Sequence, residues 1–137
     1  MEEHKQTLTR LIEVVWNNRN PDEASSVFCA DAVLHFNGPR QFGGHDYVGV
    51  SKICEDYIVP FQEGFPDLKH EIQSCNYFDQ GAVMRFTGTG TNSGPLYDTK
   101  PTNKPLIYHG VAVFRFERGL VAEVWTNSNF SSQFSSD

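Results

Sequence analysis

The sequence of residues 106–129 is LIYHGVAVFRFERGLVAEVWTNSN. β-Branched and aromatic residues fill two runs, Leu106 to Glu117 and Val121 to Asn129, on either side of the turn sequence Glu117-Arg118-Gly119. Runs of this composition around a short glycine-containing turn are typical of a β-hairpin. The C-terminal part of the chain is therefore predicted to be antiparallel sheet.

Two further strands are predicted immediately before this hairpin. They run from Asp67 to Phe78 and from Ala82 to Asn92, and the turn sequence Asp79-Gln80-Gly81 separates them. The segment from Gly94 to Pro105 contains three prolines and is the longest irregular connection. It is predicted to be a loop at the rim of the sheet.

The first half of the chain has helical patterns instead. Residues 3 to 18 are predicted to form an amphipathic helix, because apolar side chains recur at helical spacing. These side chains are Leu8, Leu11, Ile12, Val15 and Trp16. Asn20-Pro21-Asp22-Glu23 has the signals of a helix start, which predicts a second, short helix ending near Phe28.

A strand and a third helix are predicted next. The strand extends from Ala32 to Asn37 and is closed by Gly38-Pro39. The helix begins at about Asp46, and Pro60 bends or ends it. Its apolar stripe consists of Tyr47, Val50, Cys54, Tyr57, Ile58 and Phe61. Three N-terminal helices followed by strands indicate an α+β fold, in which the helices cover a strongly curved, mostly antiparallel sheet and enclose a cone with an internal pocket.

Composition and charge restrict the classes of protein to which the chain can belong. The 137 residues are 39% hydrophobic and carry a formal net charge of -6, which indicates one globular domain without the basic surface of a nucleic-acid binder. Three cysteines without a paired spacing predict free thiols in the cytoplasm. Neither a signal peptide nor a membrane span is predicted, and the histidines lack metal-binding spacing. The serine-rich residues 131–137 are predicted to be a mobile tail.

Aromatic side chains are predicted to line the pocket. On the inferred inward faces of the helices and strands lie Trp16, Tyr57, Phe61, Phe86 and Trp125. In the last strand, a period of two places Val121, Glu123, Trp125, Asn127 and Asn129 on one side. Along this side the residues change from apolar to amide-bearing, as they do where a protein core opens into a binding site.

Five segments, spread over nearly the whole chain, carry a family resemblance. They are Trp16-Asn17, Phe65-Pro66-Asp67-Leu68, the stretch TGTGTNSG at 87–94, Pro101-Thr102-Asn103-Lys104 and the stretch FRFERGLVAEVW at 114–125. In order and spacing they resemble the SnoaL-like polyketide cyclase family, which lies within the nuclear transport factor 2-like and ketosteroid isomerase-like superfamily.

The resemblance implies an α+β cone, a homodimer joined through the sheet, and no metal or nucleotide cofactor. Cyclases of this family close a ring of an aromatic polyketide by an intramolecular aldol reaction, in which an acidic residue is the general acid and base. Other branches isomerise, hydrolyse epoxides, dehydrate, or only bind a ligand.

Two positions depart from the family pattern. Asn129 stands where the family commonly has aspartate, and Asn92 where it commonly has histidine. An amide does not accept a proton near neutral pH, but it can donate a hydrogen bond to an oxyanion. Asn129 is therefore a candidate catalytic donor, and His35 and His109 are candidates for moving the proton, because imidazole titrates near neutral pH.

Two hypotheses of function follow. In the first, the pocket binds a small cyclic or polyketide-like molecule and promotes ring closure or isomerisation, with a carbonyl oriented by the amides Asn37, Asn92, Asn127 and Asn129. In the second, the chain is a non-catalytic module for binding a ligand or for dimerisation. A hydrolase or dehydratase would require a carboxylate inside the cone besides Glu123, which is expected to hold a structural hydrogen bond or ion pair.

Overall fold

A computed structural model describes residues 2–130 of the chain. The tail predicted to be mobile, residues 131–137, lies outside the described residues. Helices and two strands alternate in the first half of the chain, and four strands follow in the second half.

The first helix begins as α1 (Glu2–Arg10) and continues without a break into a π-helical segment (Leu11–Asn17). In the wider π turn, the amide of Asn18 donates to the carbonyl of Glu13, five residues earlier, at 2.9 Å. The apolar stripe predicted for this helix is buried. The predicted helix therefore exists, and its second half is wound more loosely than an α-helix.

A short 3₁₀ helix (Pro21–Ser26) connects the first helix to strand β1 (Phe28–Phe36). The prediction that β1 begins at Ala32 was wrong. The strand starts four residues earlier because Phe28 already pairs with Val121 of the last strand.

The prediction of a helix from Asp46 was also wrong at its start. Asp46–Val48 is a short strand, β2, which pairs antiparallel with β1. Gly49 then has a φ of 95°, a conformation that glycine adopts without steric cost, and turns the chain into the helix. This helix runs continuously through α2 (Val50–Lys52), a π-helical segment (Ile53–Ile58) and α3 (Val59–Gly64).

Four long strands complete the fold close to their predicted positions. They are β3 (Lys69–Tyr77), β4 (Gly81–Thr91), β5 (Pro105–Glu117) and β6 (Leu120–Ser128). The sheet order is β2-β1-β6-β5-β4-β3. The β1–β6 pair is parallel and the other pairs are antiparallel.

The helices lie across one face of this curved, unclosed sheet, and the apolar core lies between the two layers. Along β5, buried and exposed residues alternate over the full length of the strand, so one face of the sheet is core and the other is exposed. The predicted α+β cone is confirmed. None of the helices in residues 2–130 is long and apolar enough to cross a membrane.

Candidate functional site

A cavity lies between the helices and the concave face of the sheet. Its volume is about 70 Å³, counted as the space that the centre of a water-sized molecule can occupy. One water needs roughly 10–15 Å³ on this measure, so several waters or a small organic molecule fit. The wall is mostly aromatic and aliphatic. Its members with phenyl, phenol or indole rings are Trp16, Phe28, Phe36, Tyr57, Phe61, Phe86, Tyr108, Phe114 and Phe130. Besides the tyrosines and the tryptophan, the side chains with hydrogen-bonding groups are His70, Thr126 and Ser128.

Four of the aromatic residues predicted from the sequence lie in this wall: Trp16, Tyr57, Phe61 and Phe86. The two π-helical segments carry Trp16 and Tyr57, whose rings meet edge to face at 6.0 Å. The amide of Gln62 donates to the carbonyl of Val15 at 2.9 Å and ties α3 to the end of the first helix. The two π-helical segments thus meet at the cavity.

The titratable imidazole in the described part of the wall is His70, which was not among the site residues predicted from the sequence. His70 lies on β3 and is buried, and its Nε2 is 2.6 Å from the hydroxyl of Tyr108 on β5. Its Nδ1 is buried without a hydrogen-bond partner among the described residues. The indole of Trp16 packs edge to face on the imidazole at 4.8 Å.

The cavity wall is neutral near pH 7. Burial lowers the pKa of His70 to about 4, so the imidazole carries no charge. Burial also raises the pKa of Tyr57 and of Tyr108, so both phenols stay protonated. None of the lining side chains within residues 2–130 is Asp, Glu, Lys or Arg. A bound molecule would therefore meet uncharged hydrogen-bonding groups.

The predicted inward orientation of Trp125 is wrong. Its side chain lies on the outer face of the sheet, where it is 37% exposed, and the inward residues of β6 are Val124, Thr126 and Ser128. The cause is a β-bulge, because Arg115 pairs with Glu123 whereas the next residue, Phe116, pairs with Val121. The extra residue, Ala122, reverses the alternation that follows it.

His35 also lies outside the cavity, on the outer face. Its Nδ1 is 2.9 Å from Asp46 and its Nε2 is 2.6 Å from Glu123, while Trp125 stacks on the ring. Partial burial lowers the pKa of His35, but the hydrogen bonds to these two carboxylates outweigh that effect and raise it. Glu123 also accepts from Arg115 at 3.3 Å, so the expected structural ion pair is present.

The remaining predicted residues near the end of β6 are likewise on the outer face. His109 is exposed and its Nδ1 is 3.1 Å from the hydroxyl of Thr87. The side chain of Asn129 accepts a hydrogen bond from the amide of His109 at 2.8 Å. These two residues and Asn127 surround a shallow depression, and the exposed Asn37 follows β1. None of these four residues is among the described residues that line the cavity.

Asn92 is buried but belongs to a loop anchor. Its amide group donates to the carbonyls of Gly64 at 3.0 Å and Gly94 at 2.9 Å, and its carbonyl accepts from the amide of Thr102 at 2.8 Å. These bonds join the end of α3 to the predicted rim loop. No cluster of three or more His, Cys, Asp or Glu suited to a metal occurs in residues 2–130.

One protein-family model matches the chain. The model of the family "SnoaL-like polyketide cyclase" matches residues 6–135. No curated protein matches the chain.

Solved structures share the fold at low sequence identity. A protein from Jannaschia sp. CCS1, described as a SnoaL-like polyketide cyclase, has a TM-score of 0.86 at 17% identity, over 98% of this chain and 91% of its own. IdmH from Streptomyces antibioticus, described as a polyketide cyclase, has a TM-score of 0.78 at 20% identity, over 96% of both chains.

A third similar structure has a ketosteroid isomerase-like fold and comes from Catenulispora acidiphila DSM 44928, in complex with trimethylamine. Its TM-score is 0.77 at 13% identity, over 94% of this chain and 89% of its own. These structures support the cone-shaped architecture, and the family model covers nearly every residue of the chain. The chain belongs to the SnoaL-like polyketide cyclase family.

Proposed function

We propose that the cavity binds a small, neutral, cyclic or polyketide-like carbonyl compound and promotes proton transfer on it, as in aldol ring closure or isomerisation. The observation that carries this proposal is the composition of the wall, in which aromatic rings surround one titratable imidazole, His70. Apolar pockets with a few convergent polar groups are the usual form of small-molecule sites. A charged ligand would lose its hydration without gaining an ion pair in the wall.

His70 is a weak base in this wall. With a pKa of about 4, its imidazole is about as basic as an ordinary carboxylate. Asn129, at the position of the acidic residue implied by the family, lies outside the cavity, so proton exchange in the described wall falls to His70 and to the Tyr108 hydroxyl in contact with its Nε2.

Binding can be followed by the fluorescence of Trp16. The chain has two tryptophans, and the Trp125→Phe variant leaves only the one that lines the cavity. We expect 2-tetralone, a small bicyclic ketone, to quench this emission saturably, because the ligand would contact the indole.

The Trp16→Phe variant is the matched control, since its remaining tryptophan, Trp125, lies on the outer face. Its emission should not respond to 2-tetralone. Saturable quenching of Trp125, or no response of Trp16, would contradict binding in the cavity.

The second candidate function is ligand binding without catalysis, which is favoured by the absence of carboxylates from the described wall. Deuterium exchange at the α-carbons of 2-tetralone in D₂O distinguishes the two. A proton-transfer enzyme accelerates the exchange seen by NMR, and a binding protein leaves it at the rate in buffer.

We also propose a homodimer joined through the outer face of the sheet. In support of this, the outward-facing Ile107, Val111, Val113 and Trp125 form an exposed apolar surface on β5 and β6. Exposed apolar surface of this kind is typical of protein interfaces.

A lysine on this surface should separate the dimer. We expect sedimentation velocity to give a dimer for the unchanged chain and a monomer for Val113→Lys, because the interface would bury an unpaired charge. Phe78→Lys is the control, since Phe78 is exposed in the turn between β3 and β4 and its replacement should leave the dimer intact. A monomeric unchanged chain would contradict the proposal.

A further inference from the structure

His70 and Tyr108 meet across a gap that a glycine leaves in the sheet. On neighbouring strands, His70 pairs with Gly88 and Gly88 pairs with Tyr108, so the three residues form one row across the concave face. A Cβ at Gly88 would lie 2.6 Å from the hydroxyl oxygen of Tyr108. The missing side chain therefore makes room for the 2.6 Å contact between the imidazole and the phenol.

The backbone of His70 is fixed by the end of the first helix. The Asn17 side chain accepts from the amide of His70 at 2.7 Å and donates to its carbonyl at 2.8 Å. Trp16 and Phe86 pack edge to face on the imidazole, at 4.8 and 5.6 Å. The ring is thus held in one orientation from both sides, as a functional group on a rigid element should be.

The hydrogen-bonding groups of His70 show which atom donates in its contact with Tyr108. Because its pKa is lowered to about 4, His70 has only one N–H near neutral pH. Nδ1 has no partner among the described residues, and a buried N–H without an acceptor is rarer than an unused lone pair. Nε2 therefore carries the proton and donates to the oxygen of Tyr108, which leaves the phenolic O–H free to donate elsewhere.

We propose that the Tyr108 hydroxyl donates a hydrogen bond to the carbonyl oxygen of the bound molecule, and that His70 holds and polarises that hydroxyl. This inference rests on the function proposed above and adds the residue that recognises the carbonyl, so the site should select a neutral ketone or ester over a hydrocarbon of the same shape. A donor placed at this oxygen stabilises negative charge that develops on it. Accepting a bond from Nε2–H strengthens the phenol as a donor.

The test compares 2-tetralone with tetralin, which has the same ring frame without the carbonyl. Binding of both is measured in the Trp125→Phe background, with and without Tyr108→Phe. We expect loss of the hydroxyl to weaken 2-tetralone binding about tenfold and to change tetralin binding by no more than about twofold, because only the ketone loses a hydrogen bond. Tyr77→Phe removes a hydroxyl outside the cavity wall and should change neither dissociation constant.

The infrared spectrum of bound 2-tetralone provides a second readout. Its carbonyl stretch should lie at lower frequency in the unchanged cavity than in Tyr108→Phe, and His70→Leu should move it only part of the way back. Because a merely structural role of His70 would not shift the carbonyl band of a ligand that still binds, this measurement separates polarisation from folding.

The outcomes are distinguishable. If 2-tetralone does not bind at all, the proposed function of the cavity fails, and the role of the pair fails with it. If 2-tetralone binds but Tyr108→Phe weakens both ligands equally, or if Tyr57→Phe alone produces the losses and the band shift, cavity binding stands and the assignment to Tyr108 is overturned.

Discussion

Acidification from pH 7 to pH 4 is expected to lower the free energy of unfolding by roughly 3 kcal/mol more in the unchanged chain than in His70→Phe. The measurement is urea unfolding followed by circular dichroism at several pH values across this range. Phenylalanine retains an aromatic ring between Trp16 and Phe86 but does not titrate.

The sign follows from proton uptake by the two states. In the unfolded chain His70 has an ordinary pKa of about 6.5, whereas in the folded chain burial lowers the pKa to about 4. Between these values the unfolded state binds a proton that the folded state does not, so its free energy falls relative to the folded state. The stability contributed by the neutral imidazole is complete above about pH 6.5 and is lost as the pH falls towards 4.

His35 provides a control of opposite sign. Partial burial lowers its pKa, but hydrogen bonds to Glu123 and Asp46 raise it overall, so the folded state binds the proton more tightly than the unfolded state. Its stabilising contribution is present below its unfolded pKa and is lost as the pH rises through the folded value. His35→Gln should therefore destabilise the chain more at acidic than at alkaline pH. Parallel pH profiles for the unchanged chain and His70→Phe would contradict the burial of His70.

Periodicity predicted most of the fold because each long element buries one face. Helical spacing located the first helix, and the four long strands lie within a few residues of their predicted bounds. The prediction failed at Asp46–Val48, where Tyr47 fits the apolar stripe of the following helix as well as the inward face of a short strand. Only pairing with β1, a contact distant in sequence, distinguishes the two.

The prediction of which β6 side chains face inward failed because of one bulged residue. Val121, Ala122 and Val124 are all apolar, so the sequence does not reveal that Ala122 is the extra residue opposite β5. The bulge turned Trp125 and the amides after it to the outer face. The outward positions of β5 include Ile107, Val111 and Val113, so much of its alternation is equally hard to orient from sequence.

His70 could have been found from an alternation already visible in the sequence. Leu68, His70 and Ile72 are spaced by two at the start of the second predicted strand, and Leu68 and His70 are buried. A histidine in an apolar row on a strand indicates an inward imidazole. Its partner was not predictable, because the contact with Tyr108 depends on which strand lies between them and on Gly88 at that point of the register.

The Asn92→Asp variant is expected to lose about 3–5 kcal/mol of stability at pH 7, comparable to the cost of leaving a charge buried without a partner. Asn92 is 1% exposed, and its amide nitrogen donates to the carbonyls of Gly64 and Gly94. A carboxylate has no proton for either acceptor and places a negative charge against both. Urea unfolding of the variant and the unchanged chain measures the difference.

Two comparisons separate this effect from a general cost of introducing a carboxylate. Asn127→Asp makes the same chemical change on the exposed outer face of β6 and should cost no more than about 0.5 kcal/mol. The deficit of Asn92→Asp should also shrink on acidification towards pH 4, because burial raises the pKa of the new carboxyl and the protonated form donates one hydrogen bond again. An Asn92→Asp variant as stable as Asn127→Asp would show that the loop is not anchored by this amide. The expected loss assigns Asn92 to holding the rim loop against the end of α3.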